Sequence, residues 1–282
     1  MSEPRVSSPR AVARIALPAF ALIATACGSP RVTLPSGTGA PFPDADAAYT
    51  EAVRDCRGVQ TLSASLSLSG RAGSAKLSAR IDAGFAAPAR LRLEGFPRIA
   101  FGGKPFFILV ASGSDATLVL TRDGRVLRGA QPSAIIEALT GVALEPDDMR
   151  AVVAGCGLGT GQPADGRSFD HGWASVQLGG ATTFLRQIEN RWRVTGVRRG
   201  SLSIEYTEFS GGRPSAVRLH TTASAGTVAA DLSIRISQLE MNATLGNAVF
   251  TVDVPKDAAP LTLEELRRAG PLGGTEGTDG PA

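Results

Sequence analysis

Few residues in this sequence have the types and spacing that catalysis or metal binding requires. The chain of 282 residues contains two His and three Cys, too few for a His-rich metal site or a disulfide-dense scaffold. His171 follows Asp170, but His220 is distant in the sequence, and no G-x-S-x-G, H-E-x-x-H, phosphate-loop or C-x-x-C motif occurs. We predict a protein that is not an enzyme and that uses no metal or cofactor. An esterase triad built on one histidine is the weakest alternative.

The N-terminus predicts export from the cytoplasm. Arginines precede a mainly apolar stretch of 12 residues, Ile15–Ala26, which ends in small side chains. A basic segment, a short apolar segment and a small-residue cleavage site are typical of a secretory signal peptide.

The residues around Cys27 indicate a lipid anchor. The segment Ala24–Gly28 resembles the lipobox of bacterial lipoproteins, in which cleavage before the Cys exposes it for acylation. Ala24 departs from that pattern, because lipoboxes prefer Leu at this position. We predict that residues 1–26 are a lipoprotein signal peptide and that Cys27 carries the lipid; the alternative is an ordinary signal peptide and an incidental Cys27. Residues 27–43, rich in Pro, Gly and Ser, are predicted to form a flexible tether.

The other two cysteines are predicted to form a disulfide. Acylation of Cys27 leaves Cys56 and Cys156, an even number in an oxidising compartment. Their bond would close a loop of about 100 residues and stabilise the fold by about 4 to 5 kcal/mol in the chain-entropy model. The alternative is two separate buried thiols.

Composition excludes several classes of protein. The net charge is +3, from 29 Lys and Arg against 26 Asp and Glu, an excess too small to indicate nucleic-acid binding. No apolar run reaches the roughly 18 residues that a membrane-spanning helix needs, which excludes polytopic transport. The hydrophobic fraction of 43% is enough for a substantial core.

Alternation of apolar and polar residues dominates the chain after residue 58. Leucines alternate with serines over Val59–Gly70, and apolar residues alternate with polar ones over Ala75–Gly84, which predicts strands with one apolar face. Further strands are predicted around Leu91 and Leu93 and at Phe106–Ala111, Ala116–Thr121, Arg125–Arg128, Trp173–Leu178, Thr182–Glu189, Arg191–Arg198, Leu202–Phe209, Ser215–Thr222, Thr227–Gln238 and Val249–Val254. Such a series without crossover helices predicts an antiparallel meander, which curls when it exceeds about 10 strands.

Four short helices are predicted from capping residues and helical spacing. They are Ala45–Cys56 with Asp44 as N-cap, Ala134–Leu139 with Ser133 as N-cap, Pro146–Ala154, and Leu261–Ala269 with Thr262 and Glu265 as a capping box. The two central helices need apolar cover, and the concave side of the sheet is the natural place for them. A single domain over residues 44–269 and a disordered tail over 270–282 follow.

The order of these elements resembles the LolA/LolB superfamily of periplasmic lipoprotein-localisation proteins, and more narrowly its LolB-like, lipid-anchored branch. The resemblance is carried by LSASLSLSG at the first long strand, PARLRLEGF, LTGVALEPDDMRAVVAGC at the central helices, and ATLGNAVFTVDVP before LEELR. It implies a mainly β fold, in which a strongly curved antiparallel sheet forms an incomplete half β-barrel closed by short α-helices. It also implies a ligand, the acyl moiety of lipoproteins or a related lipid.

The inner face of such a half-barrel would be an apolar concavity, which monomeric proteins rarely leave empty. An acyl chain of about 16 carbons offers on the order of 12 kcal/mol on burial, before costs. The alternative is that the same residues fill the core of a smaller closed barrel. The candidates for lining a lipid cavity are Leu62, Leu66, Leu68, Leu77, Ile81, Leu91, Leu93, Leu118, Leu120, Ile135, Leu139, Met149 and Val152.

The loop Phe96–Phe107 is predicted to contact a membrane or a partner. It contains Ile99, Phe101 and Phe106 together with the cations Arg98 and Lys104, a combination that suits an interface with anionic head groups. The alternative is that its apolar side chains fold back as a plug. The basic stretch Arg191–Arg199 is predicted to be a solvated strand face, with anionic lipid as the alternative partner.

These expectations combine into one function. The chain is predicted to be a monomeric lipoprotein, anchored in the outer membrane and facing the periplasm, that takes acylated lipoproteins or lipid from a soluble periplasmic carrier and helps to insert them. Gly28 after the acylated Cys agrees with outer-membrane sorting by family convention. The alternative is a module on the same fold that senses lipid or lipoprotein.

Overall fold

The computed structural model describes residues 32–98, 103–223 and 229–270. Within them, fifteen strands form one curved, unclosed sheet. The strands are β1 (Ala40–Pro41), β2 (Thr61–Ala72), β3 (Ala75–Ala86), β4 (Arg90–Phe96), β5 (Phe107–Ser112), β6 (Asp115–Leu120), β7 (Arg125–Ala130), β8 (Ala164–Phe169), β9 (Trp173–Leu178), β10 (Ala181–Ile188), β11 (Arg191–Arg199), β12 (Leu202–Ser210), β13 (Arg213–Thr221), β14 (Ala230–Met241) and β15 (Ala259–Pro260). Short helices complete the fold: α1 (Ala45–Ala52), α2 (Pro132–Thr140), α3 (Pro146–Ala154) and α4 (Leu263–Ala269), with 3-10 turns at Asp170–Gly172 and Asn247–Phe250.

The sheet consists of two meanders joined by one long strand pair. Strands β2 to β7 and strands β8 to β14 each follow chain order, and β14 pairs with β2 to make them continuous. In this seam, Ile234 lies opposite Leu68 and Ile236 lies opposite Leu66. Every pairing is antiparallel except that of β15 with β7, so the prediction of an antiparallel meander is confirmed. The half-barrel shape stays a prediction.

Alternation along each strand decides which face is buried. In β2, the leucines at 62, 66 and 68 are almost completely buried, whereas the intervening serines are partly exposed. The apolar face of β2 therefore joins one large core cluster with the apolar faces of its neighbours. This is the arrangement expected for a sheet that is covered on one side only.

The segment with α2 and α3 crosses a face of the sheet. It leaves β7 near one edge of the strand order and enters β8 near the other, so its residues must span the strands between. Helix α2 packs on β6 and on α4, and α3 packs on β3, β4 and β13. Both helices begin at a proline and end at a glycine with left-handed backbone, Gly141 and Gly155, which keeps them short.

Several predicted boundaries differ in the structure. Helix α1 ends at Ala52 rather than Cys56, and α2 begins at Pro132, so Ser133 is not its N-cap. The strand prediction for Val249–Val254 is wrong, because this segment holds a 3-10 turn and then irregular chain whose carbonyl groups at Val249 and Thr251 accept hydrogen bonds from Arg92. Strand β8 was not predicted, because its sequence has no alternating apolar residues.

The flexible tether prediction is wrong for residues 32–43. The side chain of Leu34 is 7% exposed and packs with Trp173 and Phe184 in a small second cluster. It lies close over Gly196, where a Cβ atom would clash with it. Strand β1 then pairs with Ser168 and Arg167 of β8. The buried Leu34 and the pairing of β1 with β8 thus hold this segment against the sheet, although its composition alone indicates a flexible chain. The signal peptide, Cys27, Ile99, Phe101 and the tail after residue 270 lie outside the described residues.

Candidate functional site: an apolar cavity under the lid helices

An apolar cavity of about 70 Å³ lies between the sheet and the α2–α3 segment. The sheet wall comes from strands on both sides of the seam, and the opposite wall comes from α2, the linker after it and the start of α3. The lining residues are Leu66, Leu68, Ile81, Leu93, Phe107, Leu219, Leu232 and Ile234 on the sheet, and Ile136, Leu139, Thr140, Val142, Leu144 and Met149 on the opposite wall.

Thr140 is the single polar side chain in this lining, and its hydroxyl is already paired. Its Oγ1 donates to the carbonyl of Ile136 at 2.7 Å and accepts from the amide of Val142 at 3.2 Å. These bonds belong to the end of α2, where Ser and Thr hydroxyls commonly bond to the preceding turn. The cavity therefore presents hydrocarbon without a free hydrogen-bonding side chain, and an apolar ligand matches it best.

The cavity is small in its present form. An apolar cavity of about 150 Å³ accepts one benzene molecule, so a volume of about 70 Å³ does not hold a long acyl chain. Thr140, Met149 and Ile234 are half-buried, whereas most of the other lining residues are buried. These three mark the side from which the cavity would widen, by a displacement of the α2–α3 linker from the sheet.

The C-terminal end of α3 is fastened firmly. A disulfide joins Cys56, after α1, to Cys156, after α3. Tyr206 of β12 donates its hydroxyl to the carbonyl of Val152 at 3.0 Å and accepts from the amide of Gly157 at 3.2 Å. Complete burial raises the pKa of Tyr206 far above its ordinary value. This phenol therefore stays protonated and acts as a fixed link between sheet and helix.

Ion pairs hold the N-terminal part of α3. Asp148 accepts two hydrogen bonds from Arg199 of β11, at 2.6 and 3.1 Å, and both side chains are partly buried. Arg150 pairs with Asp147 at 3.0 Å and also donates to the carbonyl of Val59. Together with the disulfide and Tyr206, these contacts restrain α3 at both of its ends.

Helix α2 is held from the other side by α4. Glu137 of α2 pairs with Arg267 at 3.6 Å, and α4 starts with the predicted capping box of Thr262 and Glu265. Glu265 also pairs with Arg125 of β7 at 2.9 Å. The pKa of Glu265 is lowered to about 2, mainly because its carboxylate accepts a hydrogen bond from the backbone amide of Thr262. Hydrogen bonds from the Arg125 guanidinium and from the Thr262 hydroxyl lower this pKa further.

The structure separates the predicted cavity residues into two groups. Those that line the cavity are Leu66, Leu68, Ile81, Leu93, Leu139 and Met149. Those packed in or against the core without lining this cavity are Leu62, Leu77, Leu91, Leu118, Leu120, Ile135 and Val152. The second group corrects the sequence interpretation: an inward-facing position on this sheet is more often core than cavity wall.

The lining residues that the sequence interpretation missed fall into three kinds. Leu219, Leu232 and Ile234 lie in predicted strands, but only the seam between β14 and β2 brings them to this site. Val142 and Leu144 lie in the linker between the helices, where no periodicity marks them. The remaining missed residues, Phe107, Ile136 and Thr140, are neighbours of predicted ones.

Other predicted sites lie away from the cavity or are occupied by internal contacts. Phe106 is half-buried, packs edge-on against Phe107 with ring centroids 5.1 Å apart, and lies under the guanidinium of Arg122 at 5.7 Å. In the basic stretch, Arg191 and Arg193 pair with Asp55, at 3.7 and 3.2 Å. This part of the stretch therefore binds the α1 region rather than solvent alone.

The histidines do not come together. His171 is exposed, and His220 has its Nε2 atom 3.5 Å from Glu205. In the part of the chain that the structure describes, no group of three His, Cys, Asp or Glu side chains could hold a metal ion. Among the same residues, no helix combines the length and apolar character needed to cross a bilayer.

Comparisons with known proteins give similarity in structure only. No protein-family model matches the sequence, and no curated protein matches it. A LolA superfamily protein from Nitrosomonas europaea is similar with a TM-score of 0.49 and 13% identity, over 74% of this chain and 97% of that one.

Two further solved structures are similar at lower scores. A DUF1329 family protein from Desulfovibrio piger has a TM-score of 0.45 and 12% identity, over 74% of this chain and 98% of that one. The Mycobacterium tuberculosis lipoprotein LppX has a TM-score of 0.31 and 9% identity, over 72% of this chain and 98% of that one. These likenesses assign no function to this chain. The function proposed below rests on the cavity instead.

Proposed function

We propose that this chain is a non-enzymatic lipid-binding protein of the LolA/LolB superfamily, which takes an acyl chain of a lipoprotein or related lipid into the cavity. The observation that supports this proposal is the chemistry of the lining: hydrocarbon on every wall, with the one hydroxyl, that of Thr140, paired internally. Such a surface binds through burial of apolar area and offers no group that would recognise a polar substrate.

Energetics make an acyl ligand reasonable despite the small cavity. Each buried methylene contributes about 0.8 kcal/mol, so a chain of about 16 carbons offers on the order of 12 kcal/mol before costs. Displacing the linker at 141–145 exposes Val142 and Leu144, which are buried in the core, at a cost of about 1.5 to 3 kcal/mol each, which is less than that gain. The disulfide and Tyr206 keep the end of α3 in place. We expect the linker to move outward and the sheet to stay fixed when the ligand enters.

The proposal extends to the cell envelope. Cys27 would carry the lipid anchor, and the protein would lie at the outer membrane, face the periplasm, and receive lipoproteins from a soluble carrier for insertion. The loop with Ile99, Phe101 and Phe106 would touch the membrane or the carrier during transfer. The lipobox-like segment and the composition of the loop support these points.

Binding of a fluorescent fatty acid to the C27S chain, which cannot be acylated, tests the cavity. Met149→Trp places a large side chain where the cavity widens. It should weaken binding roughly tenfold or more, because it displaces two or three methylenes of ligand at about 0.8 kcal/mol each. Native mass spectrometry of the purified chain should show bound lipid that M149W lacks.

The matched control is Met241→Trp, since Met241 is also half-buried against the core but does not line the cavity. We expect M241W to bind like the parent chain, with circular dichroism confirming that both variants are folded. No fatty-acid binding by the parent chain, or equal binding by both variants, would refute the cavity as the ligand site.

A further inference from the structure

Three chain connections meet at one end of the sheet. Strand β2 ends where the turn to β3 begins, β4 ends before the loop to β5, and β6 ends before the turn to β7. Because neighbouring strands are antiparallel, these connections lie at the same end, here called the rim end. It comprises the described residues 71–76, 97–98, 103–106 and 121–124.

The cavity lies in the half of the sheet next to the rim end. Phe107 is the first residue of β5, and Leu68 lies in the half of β2 that leads to the turn. Leu219 and Leu232 are near the ends of β13 and β14 that point the same way, since β14 is antiparallel to β2. A surface that touches the rim end is therefore close to the ligand site.

Exposed cations dominate the rim end. They are Arg71, Lys76, Arg98, Lys104 and Arg122. Among the described residues none of these five forms an ion pair with a carboxylate, and the one acidic residue of the three connections is Asp123.

Two of these cations lie directly opposite each other. Arg71 and Lys76 are cross-strand partners in the register of β2 and β3, a pairing of like charges that destabilises a sheet. On its other side Arg71 lies opposite Asp231 of β14, whose carboxylate pairs with Arg218 at 2.7 Å. Arg71 donates to the carbonyl of Ser74 at 3.2 Å, which holds the guanidinium at the turn. At the opposite end, the β3–β4 and β5–β6 turns are flanked by Arg90 and Asp115, one charge of each sign. Among the connections between β2 and β7, the excess of cations thus lies at the rim end.

We infer that the rim end is a docking surface for an anionic phospholipid bilayer, and that docking places the cavity against the membrane. This inference rests on the proposed lipid-binding function for its purpose, although not for its geometry. The cations are distributed over three separate connections, which matches a continuous layer of negative head groups rather than a single bound anion. The Arg122 guanidinium stacks over Phe106 at 5.7 Å, so that a cation and an apolar ring face the same interface.

Vesicle co-sedimentation of the C27S chain tests the docking surface. Vesicles are made of phosphatidylcholine alone, or of phosphatidylcholine and phosphatidylglycerol in equal parts. Each cation near an anionic surface strengthens binding about fivefold. Lys76→Glu with Lys104→Glu should therefore weaken binding to the anionic vesicles about thirtyfold or more, and added salt should weaken the binding of the parent chain.

The matched control is Arg128→Glu with Arg213→Glu. Both arginines are exposed, neither pairs with a carboxylate among the described residues, and both lie toward the opposite end of their strands. This variant carries the same change in net charge and should bind the anionic vesicles far more tightly than the rim variant.

Fatty-acid binding measured in parallel keeps the two proposals distinct, because the rim variant should retain it. Equal binding of the parent chain to both kinds of vesicle, or equal loss in the rim and control variants, overturns the docking surface and leaves the cavity unaffected. If the parent chain does not bind the fatty acid, the cavity is refuted as the ligand site, and the docking surface is unaffected.

Discussion

Two regions of one sheet face differ in how they are covered. Over β8 to β11, helix α1 packs directly on the strands and buries Ala45, Ala48, Tyr49 and Ala52 in the core. Over the central strands on both sides of the seam, the α2–α3 segment bridges the sheet and leaves the cavity. The apolar alternation of the strands is similar in both regions.

The difference between these regions lies in the covering segment. The buried side of α1 consists mainly of alanine, which allows a close approach to the sheet, and Arg191 and Arg193 hold the adjoining Asp55. The α2–α3 segment meets the sheet through longer side chains such as Met149 and Leu139, and these enclose the cavity. Whether an inward-facing strand residue lies in the packed core or in a cavity wall thus depends on the segment that covers the strands. The strand sequence alone does not determine it.

Removing the disulfide should have the largest effect, because it joins the two covered regions. Cys56 follows α1, Cys156 follows α3, and they are 100 residues apart in the chain. The double substitution Cys56→Ser with Cys156→Ser should lower the free energy of unfolding by about 4 to 5 kcal/mol in the chain-entropy model. Urea denaturation with and without reductant measures this. A parent chain whose denaturation midpoint is insensitive to reductant would contradict the prediction.

A pair of leucines in β4 distinguishes core from cavity wall. Leu91 is fully buried in the core, whereas Leu93, two residues further on, lines the cavity. Leu91→Ala should cost about 4 kcal/mol because it creates a new void, and Leu93→Ala only about 2 kcal/mol because its side chain already borders one. Chemical denaturation gives both values. Equal costs would mean that the cavity closes in solution.

Tyr206→Phe tests the link between β12 and α3. The substitution leaves the amide of Gly157 without its hydrogen-bond acceptor in a buried place, which should cost about 1 to 3 kcal/mol. We also expect faster uptake of the fluorescent fatty acid, because the end of α3 is released. Stopped-flow fluorescence measures that rate, and an unchanged rate together with lost stability would place the moving part of the lid in the linker alone.

The smallest expected effect on stability concerns Glu265 at the start of α4. The pKa of Glu265 is lowered from its ordinary value of 4.5 to about 2, so its contribution to stability is complete above pH 4.5 and is lost as the pH falls toward 2. The stability difference between the parent chain and Glu265→Gln should therefore shrink over that interval. Thermal unfolding at a series of pH values measures it, and a difference that stays constant down to pH 2 would show that the carboxylate charge is not involved.

Local patterns predicted much of this fold because local physics determines it. Alternation placed β2 and β3 correctly within a few residues, and the Thr262–Glu265 capping box is present as expected. Each of these features depends on neighbours in the chain. The same reasoning found Pro146 at the start of α3 and Gly155 at its end.

What the sequence did not predict depends on contacts between distant segments. Leu34 lies in a polar, Pro-rich stretch, yet it is buried by Trp173 and Phe184. Leu91 and Leu93 have the same pattern and the same inward face, but only the position of the α2–α3 segment makes one of them a cavity wall. No periodicity in β4 encodes where another part of the chain will cross it.

The seam between β14 and β2 also has a consequence for how the molecule assembles. Each meander can grow from hairpins of adjacent strands, whereas the seam joins Ser65 to Gln238, which are 173 residues apart. Contacts this distant in the chain form slowly. Until they form, two twelve-residue strands remain as open edges to which other unfinished chains can add. A newly synthesised copy is therefore most vulnerable to aggregation in the interval before β14 pairs with β2.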